Sequence, residues 1–268
     1  MILLRIIIVL LVLVTFVSCA TSNNISFITG ASKFTKKLVY GGDFLFTTYY
    51  KYTNDDEDWV VYIEGDGLIS FDRYTISSDP TPITHLMIQL AFLDTRPNVL
   101  YIARPCQYTP MYLNPKCNPI YWTHKRWSKD TIKSMYEAII KFTKTKDIDL
   151  VGFSGGGGIA VLLAAYNMKV KSILTIGGNL DHISFNRYHN ATTSFYSLNP
   201  IDYASKLNNI PQLHLSGDND RIVPYFITQN YTNISNSKCV KDKLIKNVDH
   251  TGWLNKWKEI LNIPINCN

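Results

Sequence analysis

The chain has 268 residues, 46% of them hydrophobic and 18% charged, which is an ordinary globular composition of a length that suits one large domain. Its formal net charge is +6, but the basic residues are scattered, with only short groups such as Lys36-Lys37 and Lys125-Arg126. A nucleic-acid-binding protein usually concentrates its positive charge in a stripe, so this distribution excludes nucleic acid as the predicted partner and favours a solvated basic surface.

Residues 1–18 have the pattern of a secretion signal. Arg5 precedes an uninterrupted apolar run from Ile6 to Val14, and small residues follow it. The run is shorter than the ~20 residues that a membrane-spanning helix needs, which argues against the alternative of a transmembrane anchor. We therefore predict an exported protein whose mature part, residues 19–268, is a single domain.

The end of this signal resembles a bacterial lipobox, in which a cysteine is lipid-modified and becomes the first mature residue. Here the stretch is Phe-Val-Ser-Cys ending at Cys19, and Phe16 stands where Leu is usual. We predict a lipid on Cys19, which would hold the protein on a membrane of the cell envelope, in the periplasm or on an outer face. Cleavage without lipidation is the alternative.

Four cysteines follow the signal: Cys106, Cys117, Cys239 and Cys267. Export to an oxidising compartment favours two disulfides, and four cysteines allow three connectivities. Local pairing, Cys106 with Cys117 and Cys239 with Cys267, costs the least chain-closure entropy, and we predict it. A zinc site is the alternative, but no C-x-x-C motif or neighbouring histidine supports it.

Strands and helices alternate along the chain. Residues 26–52 contain two β-rich runs around Gly41-Gly42 and predict an antiparallel hairpin. The further predicted elements are, in order, a strand ending in a glycine loop at 58–67, a helix at 82–94, a strand at 98–105, a long loop to about residue 122, a helix at 128–145 capped by Ser128, a strand at 148–153, a helix at 157–167, a strand at 170–178, a strand at 210–218, a helix at 224–234, a strand at 241–248 and a helix at 252–262.

This order predicts an α/β fold with a mostly parallel central sheet, helices on both faces, and the hairpin as an antiparallel edge. The segment from Asn179 to Asn209 is polar and irregular in pattern, and it is the one stretch that offers a short cap over a site. The Tyr-, Pro- and Asn-rich loop from Cys106 to Trp122 is a second candidate wall.

The sequence Gly152-Phe153-Ser154-Gly155-Gly156 is G-x-S-x-G, and it lies where a predicted strand turns directly into a helix. This is the context of a nucleophile elbow, in which small neighbours let the strand and helix backbones pass close to an exposed serine. The N–H of Gly155 would face a developing negative charge at the helix N-terminus. A phosphate-binding loop would need a Lys after the glycines, and a purely structural glycine turn is the remaining alternative.

A serine nucleophile needs a base, and the base needs an orienting acid; downstream of an elbow the chain order is acid, then histidine. Asp220 follows a predicted strand and opens Asp-Arg-Ile-Val-Pro, a D-x-x-V-P pattern, and we favour it over Asp218, which is the competing acid in the same loop. His250 follows the last predicted strand and precedes the last helix, so it is the predicted base. Both aspartates also suit a simple turn.

A second oxyanion donor is expected from a glycine loop after an earlier strand. Glu64-Gly65-Asp66-Gly67 sits where many lipases carry His-Gly-x-Gly, and this alignment assigns the donor to the backbone N–H of Asp66. Two acids beside an anion site would repel it unless their side chains turn away or are paired, and Arg104, at the end of the next strand, is the candidate partner. A plain turn between strand and helix is the alternative.

Taken together, these motifs resemble those of the α/β-hydrolase superfamily, and more narrowly a group of poorly characterised exported, lipoprotein-like bacterial α/β-hydrolases. The stretches that carry the resemblance are YIEGDG, NVLYIARPCQY, YWTHKRWS, LVGFSGGGG, TIGGNLDH, SLNPIDYA, PQLHLSGDNDRIVP and DHTGW. They lie between Asp58 and Trp253, so the resemblance covers nearly all of the mature chain. It implies the α/β-hydrolase fold and a Ser-His-Asp site, but it does not imply a substrate.

The predicted reaction is acyl transfer from an ester, thioester or amide to water, through an acyl-enzyme on Ser154, with no metal or organic cofactor. Two alternatives stay open: a catalytically silent binding protein of the envelope on a hydrolase scaffold, and an acyltransferase that uses the same triad. The predicted partner is a small-molecule or acyl substrate, and the oligomeric state is left open.

Overall fold

The structure is a computed structural model that describes residues 33–72, 74–166 and 168–267. The predicted signal, residues 1–18, and the predicted lipid site, Cys19, lie outside these residues. No helix in the described part of the chain is long and apolar enough to span a membrane.

One eight-stranded sheet organises the fold, and its strands follow the order β1-β2-β4-β3-β5-β6-β7-β8. The strands are β1 (Thr35–Gly41), β2 (Phe44–Lys51), β3 (Trp59–Ile63), β4 (Val99–Ile102), β5 (Ile148–Phe153), β6 (Val170–Ile176), β7 (Gln212–Gly217) and β8 (Val240–Ile245). The β1–β2 hairpin pairs antiparallel to β4, and all remaining neighbours are parallel. The prediction of a mostly parallel sheet with an antiparallel edge hairpin is therefore confirmed.

Helices cover both faces of this sheet. They are α1 (Leu86–Phe92), α2 (Lys129–Thr143), α3 (Gly155–Ala165), α4 (His182–Tyr188), α5 (Tyr225–Ser235) and α6 (Trp257–Ile260). Alternation along β3 separates the two faces: Val61 belongs to the apolar core that includes α2 and α3, whereas the ring of Tyr62 packs edge-on against Trp257 of α6. Trp257 also donates a hydrogen bond to the Leu90 carbonyl of α1 (2.9 Å).

Three helical predictions need correction. Residues 179–209 are not irregular throughout, because they contain α4 and a 3-10 segment at Pro200–Leu207. Asp181 caps α4 by accepting from Ser184 N (3.3 Å). The closing helix is a short 3-10 turn followed by the four residues of α6, and α1 begins only at Leu86, after His85 in a left-handed conformation. Ser128, in contrast, caps α2 as predicted, accepting from Thr131 N (3.3 Å).

The four cysteines form two disulfides with the predicted local pairing. Cys106 bonds to Cys117, and Cys239 bonds to Cys267. The first bond holds the loop after β4, and the second joins the segment before β8 to the C-terminal tail.

Candidate active site

Ser154 occupies the turn between β5 and α3 with a left-handed φ of 52° and a ψ of −122°. Non-glycine residues seldom adopt such a conformation, and it persists only where the surroundings impose it. Here the Ser154 N–H donates to the Ile176 carbonyl of β6 (3.1 Å), and the Ser154 carbonyl accepts from Asn179 N (2.9 Å). The serine is thus fixed at the carboxyl edge of the sheet, at the N-terminus of α3.

Two glycines of the G-x-S-x-G motif make this turn sterically feasible. A Cβ on Gly152 would lie 2.4 Å from the Gly156 carbonyl oxygen, and a Cβ on Gly156 would lie 2.4 Å from the carbonyl oxygens of both Ile63 and Glu64. These neighbours are backbone atoms of β3, the loop after it and α3, so no side-chain rotation would relieve the clash. The glycines therefore allow α3 to begin directly against the end of β3.

Asp220 and His250 form a hydrogen-bonded pair beside this turn. His250 Nδ1 lies 2.8 Å from Asp220 Oδ2, and the Asp220 side chain is fully buried while that of His250 is 15% exposed. The other carboxylate oxygen of Asp220 accepts from the backbone N–H groups of Ile222 (2.9 Å) and Val223 (2.8 Å). These bonds fix the carboxylate and leave one oxygen for the imidazole.

Asp218, the competing acid, points elsewhere. It is exposed, and its Oδ1 accepts from Val248 N (3.3 Å). The imidazole of His250 packs against the ring of Phe153, the residue before the serine, with centroids 4.8 Å apart. Within the described residues no hydrogen bond joins the Ser154 hydroxyl to His250. The structure therefore brings Asp220 and His250 into direct contact, and Ser154 lies near them because its neighbour Phe153 packs against His250.

The two predicted oxyanion donors also lie side by side. Neither the N–H of Gly155 nor that of Asp66 donates to another group in the described part of the chain, whereas the N–H of Gly65 is taken by the Glu64 carboxylate (2.9 Å). Gly155 is in close contact with Asp66, since a Cβ on Gly155 would lie 2.1 Å from Asp66 Oδ1. Both N–H groups are thus available at the entrance of α3.

Two buried arginines lie beside the carboxylate of Asp66. Arg104 Nη1 lies 2.9 Å from Asp66 Oδ1, which confirms the predicted pairing, and Arg126 Nη1 lies 3.7 Å from Asp66 Oδ2. The sequence placed Arg126 only in a short basic group and assigned it no role. No spacing pattern connects it to Asp66, because it arrives on the segment between the Cys106–Cys117 loop and α2.

Glu64 is buried beneath the same loop. Its carboxylate accepts from Tyr101 OH (2.7 Å) as well as from Gly65 N. Burial raises the pKa of Glu64 to about 7, against the lowering effects of these hydrogen bonds and of Arg104. Both acids of the Glu-Gly-Asp-Gly stretch are therefore held by partners.

An open cleft of about 690 Å³ reaches Arg126. One wall comes from the loop after β3, with Ile69, Tyr74 and Ile76, and the opposite wall comes from α4 and the residues after it, including Phe185 and His189. The predicted cap segment thus supplies one side of this cleft. The Cys106–Trp122 loop does not line it; Gln107 of that loop instead donates to the Gly65 carbonyl (3.0 Å) and supports the Asp66 loop from behind.

The described residues contain no group of three or more His, Cys, Asp or Glu side chains arranged to hold a metal ion. The site is built from a serine, a histidine–aspartate pair and backbone donors.

A parallel sheet with a strand–Ser–helix elbow and a His–Asp pair at its carboxyl edge defines the α/β-hydrolase fold, and comparison with solved structures shows the same fold. The candidate lipase lip1 from Acinetobacter baumannii AYE aligns with a TM-score of 0.64 at 13% identity, over 90% of this chain and 93% of that one. A bacterial membrane phospholipase A described as a virulence factor aligns with a TM-score of 0.63 at 12% identity, over 97% of this chain and 96% of its own.

The esterase Pf2001 of Pyrococcus furiosus aligns with a TM-score of 0.61 at 12% identity, over 86% of this chain and 89% of its own. No protein-family model and no curated protein matches the chain.

Proposed function

We propose that the protein is a serine hydrolase that cleaves an ester, thioester or amide through an acyl-enzyme. The carrying observation is the left-handed Ser154 at the start of α3, beside a buried Asp220 that bonds to His250. Esterase, lipase and phospholipase descriptions of the similar structures support the same reaction class.

In this proposal Ser154 Oγ attacks the carbonyl carbon while His250 Nε2 takes its proton. Asp220 holds the Nδ1 proton of His250, which keeps Nε2 free to act as the base. The oxyanion accepts hydrogen bonds from the N–H groups of Gly155 and Asp66. His250 then protonates the leaving group, and a water deprotonated by His250 releases the acyl group and regenerates the serine.

A fluorophosphonate probe tests the nucleophile. The folded protein is expected to react at Ser154, as located by peptide mapping, and Ser154→Ala is expected to lose both the label and the hydrolysis of p-nitrophenyl esters. Labelling of another serine, or of none, would contradict the proposal and favour the binding-protein alternative. An acyltransferase would label in the same way but would transfer the acyl group faster to an added alcohol or amine than to water.

We also propose that the protein is exported and lipid-anchored through Cys19. The two disulfides support an oxidising compartment, because such bonds are rare in reducing ones. Intact-mass measurement of protein purified from its native envelope is expected to give a chain that begins at Cys19 and carries acyl groups. A mature chain that begins elsewhere without acyl mass would contradict this part and leave the hydrolase proposal intact.

A further inference from the structure

Arg126 is a buried cation whose side-chain donors are unused. The residue is 7% exposed, yet its Nε is buried without a hydrogen-bond partner in the described part of the chain. Its nearest charge, Asp66 Oδ2, is 3.7 Å from Nη1, beyond hydrogen-bond distance. A guanidinium has five N–H donors, and buried donors without acceptors are costly.

The charge of Asp66 does not explain why Arg126 is buried here, because Arg104 already forms an ion pair with Asp66. Arg104 Nη1 bonds to Asp66 Oδ1 at 2.9 Å, and Arg104 also donates to the backbone carbonyl of Arg126. The two arginines and Asp66 together carry one positive charge in excess. Glu64 is close to these residues and has a pKa of about 7, so near pH 7 its partial negative charge offsets the excess positive charge only in part.

The aromatic rings packed next to Arg126 bring no charge that would compete with it. Its guanidinium lies over the ring of Trp127, with Cζ 4.5 Å from the ring centroid. His182 stacks on Trp127 with centroids 5.2 Å apart, and both its ring nitrogens are buried without a partner. Burial, and secondarily the charge of Arg126, lower the pKa of His182, so this imidazole is neutral at pH 7 and does not supply a competing charge.

Arg126 lines the cleft, and through Asp66 it also lies close to Gly155, the residue after the proposed nucleophile. Three other ionisable residues that line the cleft already have hydrogen-bond partners. Asp72 accepts from the N–H groups of Tyr74 (2.7 Å) and Thr75 (2.8 Å). His124 Nδ1 contacts the Thr193 carbonyl (3.2 Å), and His189 Nε2 contacts the Ile222 carbonyl (2.7 Å). Among the described residues that line this cleft, Arg126 is the one Lys or Arg, so it offers a ligand positively charged donors.

We infer that Arg126 is a specificity-determining residue that binds an anionic group, a carboxylate or a phosphate, carried by the substrate. The inference rests on the proposed hydrolase function and names its substrate class: an ester with an apolar chain and a negative charge. The apolar chain would lie along Ile69, Ile76 and Phe185, and the anion would accept hydrogen bonds from the Arg126 guanidinium, which suits planar two-point recognition of these groups.

The test compares two esters of the same chain length, p-nitrophenyl hexanoate and p-nitrophenyl hydrogen adipate, in which a carboxylate replaces the terminal methyl group. Hexyl phosphate, as a competitive inhibitor of hexanoate hydrolysis, supplies the phosphate arm. The variants are Arg126→Gln, Arg126→Lys and the control Arg187→Gln. Arg187 is an exposed arginine of α4, whose neighbours line the cleft while Arg187 itself does not.

In the native protein, we expect a preference for an anion, seen either as a lower KM for the adipate ester than for the hexanoate ester or as competitive inhibition by hexyl phosphate. Arg126→Gln should lower this preference for the anion at least tenfold, measured as a higher KM for the adipate ester or a higher inhibition constant for hexyl phosphate. Arg126→Lys, which keeps the charge but loses the planar fork, should lower it less, and it also provides the readout if Arg126→Gln fails to fold. Arg187→Gln should leave the preference unchanged.

An effect on one anion alone identifies which group the site takes. If Arg126→Gln slows the neutral and the anionic ester by the same factor and leaves hexyl phosphate inhibition unchanged, Arg126 is only a second counter-ion of Asp66 and the inference is overturned while the hydrolase function stands. A native protein that hydrolyses neither ester and does not react with a fluorophosphonate overturns both.

Discussion

At the scale of single residues, the choice between two aspartates in one loop decides how the histidine is oriented. Asp220 is fully buried and bonded to His250, whereas Asp218 is exposed and bonds to a backbone N–H. We predict that Asp220→Asn lowers kcat by about 10⁴-fold, because an amide would favour the wrong imidazole tautomer. Asp218→Asn, a matched change two residues away, should alter kcat by less than about tenfold, since it removes no contact with His250.

Steady-state kinetics on one neutral ester, with circular dichroism to confirm folding, measures both variants. If the Asp218 variant were the inactive one, the assignment of the acid would be wrong even though the nucleophile could still be labelled.

Glu64 gives a second prediction at this scale, concerning stability and pH. Burial raises its pKa from 4.5 to about 7, so the folded state binds the Glu64 proton more tightly than the unfolded state does. The resulting stabilisation is fully present below pH 4.5 and is lost as the pH rises through 7, and a shift of this size corresponds to about 3 kcal/mol. Glu64→Gln removes this titration.

We therefore expect the change in unfolding free energy caused by Glu64→Gln to be more favourable at pH 8 than at pH 4.5, by up to about 3 kcal/mol. Urea unfolding of both proteins at the two pH values measures it, and taking the difference between proteins cancels the other titrating groups. An equal effect of the substitution at both pH values would show that folding does not raise the pKa of Glu64.

At the scale of elements, local pattern predicted most of the fold because most elements have a strong periodic signal. The strand Ile148–Phe153 is apolar except for Asp149, and α2 has both an apolar stripe and a capping serine, so both were predictable. Helix α4 was missed because it is only seven residues long and its capping acid, Asp181, is fixed by a distant contact, Asn199 Nδ2 (2.9 Å). Tertiary contacts, rather than propensity, determine such short helices.

The residues of the candidate site also divide into those that the sequence predicted and those that it did not. Ser154, Asp220 and His250 each follow a strand, so strand order and motif predicted their meeting at one edge of the sheet. Arg126 and His182 follow no such rule. They approach from segments that precede and follow the nucleophile, and only the packing of Trp127, whose Nε1 donates to the Gly155 carbonyl (2.9 Å), brings them to it. Contacts of that kind have no signature in a single sequence.

The junction of β3 with α3 gives the prediction for this scale. Gly156→Ala would place a methyl group 2.4 Å from two backbone oxygens of the chain at the end of β3, so the helix and the strand must separate. We expect a loss of at least about 1–3 kcal/mol of stability together with a marked loss of activity, because the two proposed oxyanion donors lie on the two separated segments. Thermal unfolding and ester hydrolysis measure the two effects.

Gly252→Ala is the matched control for this substitution. Its added methyl group would meet first the Asp249 side chain, at 3.1 Å, which is able to move. A tolerated Gly156→Ala, with stability and activity like those of the control, would mean that β3 and α3 are not held as closely as described.

At the scale of the whole molecule, the two disulfides stabilise different parts of the chain. The loop held by Cys106–Cys117 contains Gln107, which donates to the Gly65 carbonyl (3.0 Å) and accepts from Arg104 N (3.0 Å). This loop therefore supports the oxyanion segment (residues 64–67), which carries one of the two proposed oxyanion donors. The Cys239–Cys267 bond instead secures the C-terminal tail to the segment before β8. One bond is therefore tied to the site and the other to the integrity of the chain end.

We predict that Cys239→Ala/Cys267→Ala lowers the free energy of unfolding by about 3–4 kcal/mol, because an unbridged loop of this length gains that much chain entropy when unfolded, and that it leaves kcat/KM within about twofold. Cys106→Ala/Cys117→Ala removes a bond that closes a shorter loop, and it should lower the free energy of unfolding by about 3 kcal/mol. It should also lower kcat/KM, because Gln107 would no longer hold the Gly65 carbonyl in place. Chemical unfolding and ester kinetics of the two double variants, measured below their unfolding transitions, separate these effects. Equal losses of kcat/KM in both variants would show that the Cys106–Cys117 loop has no particular connection to the oxyanion segment.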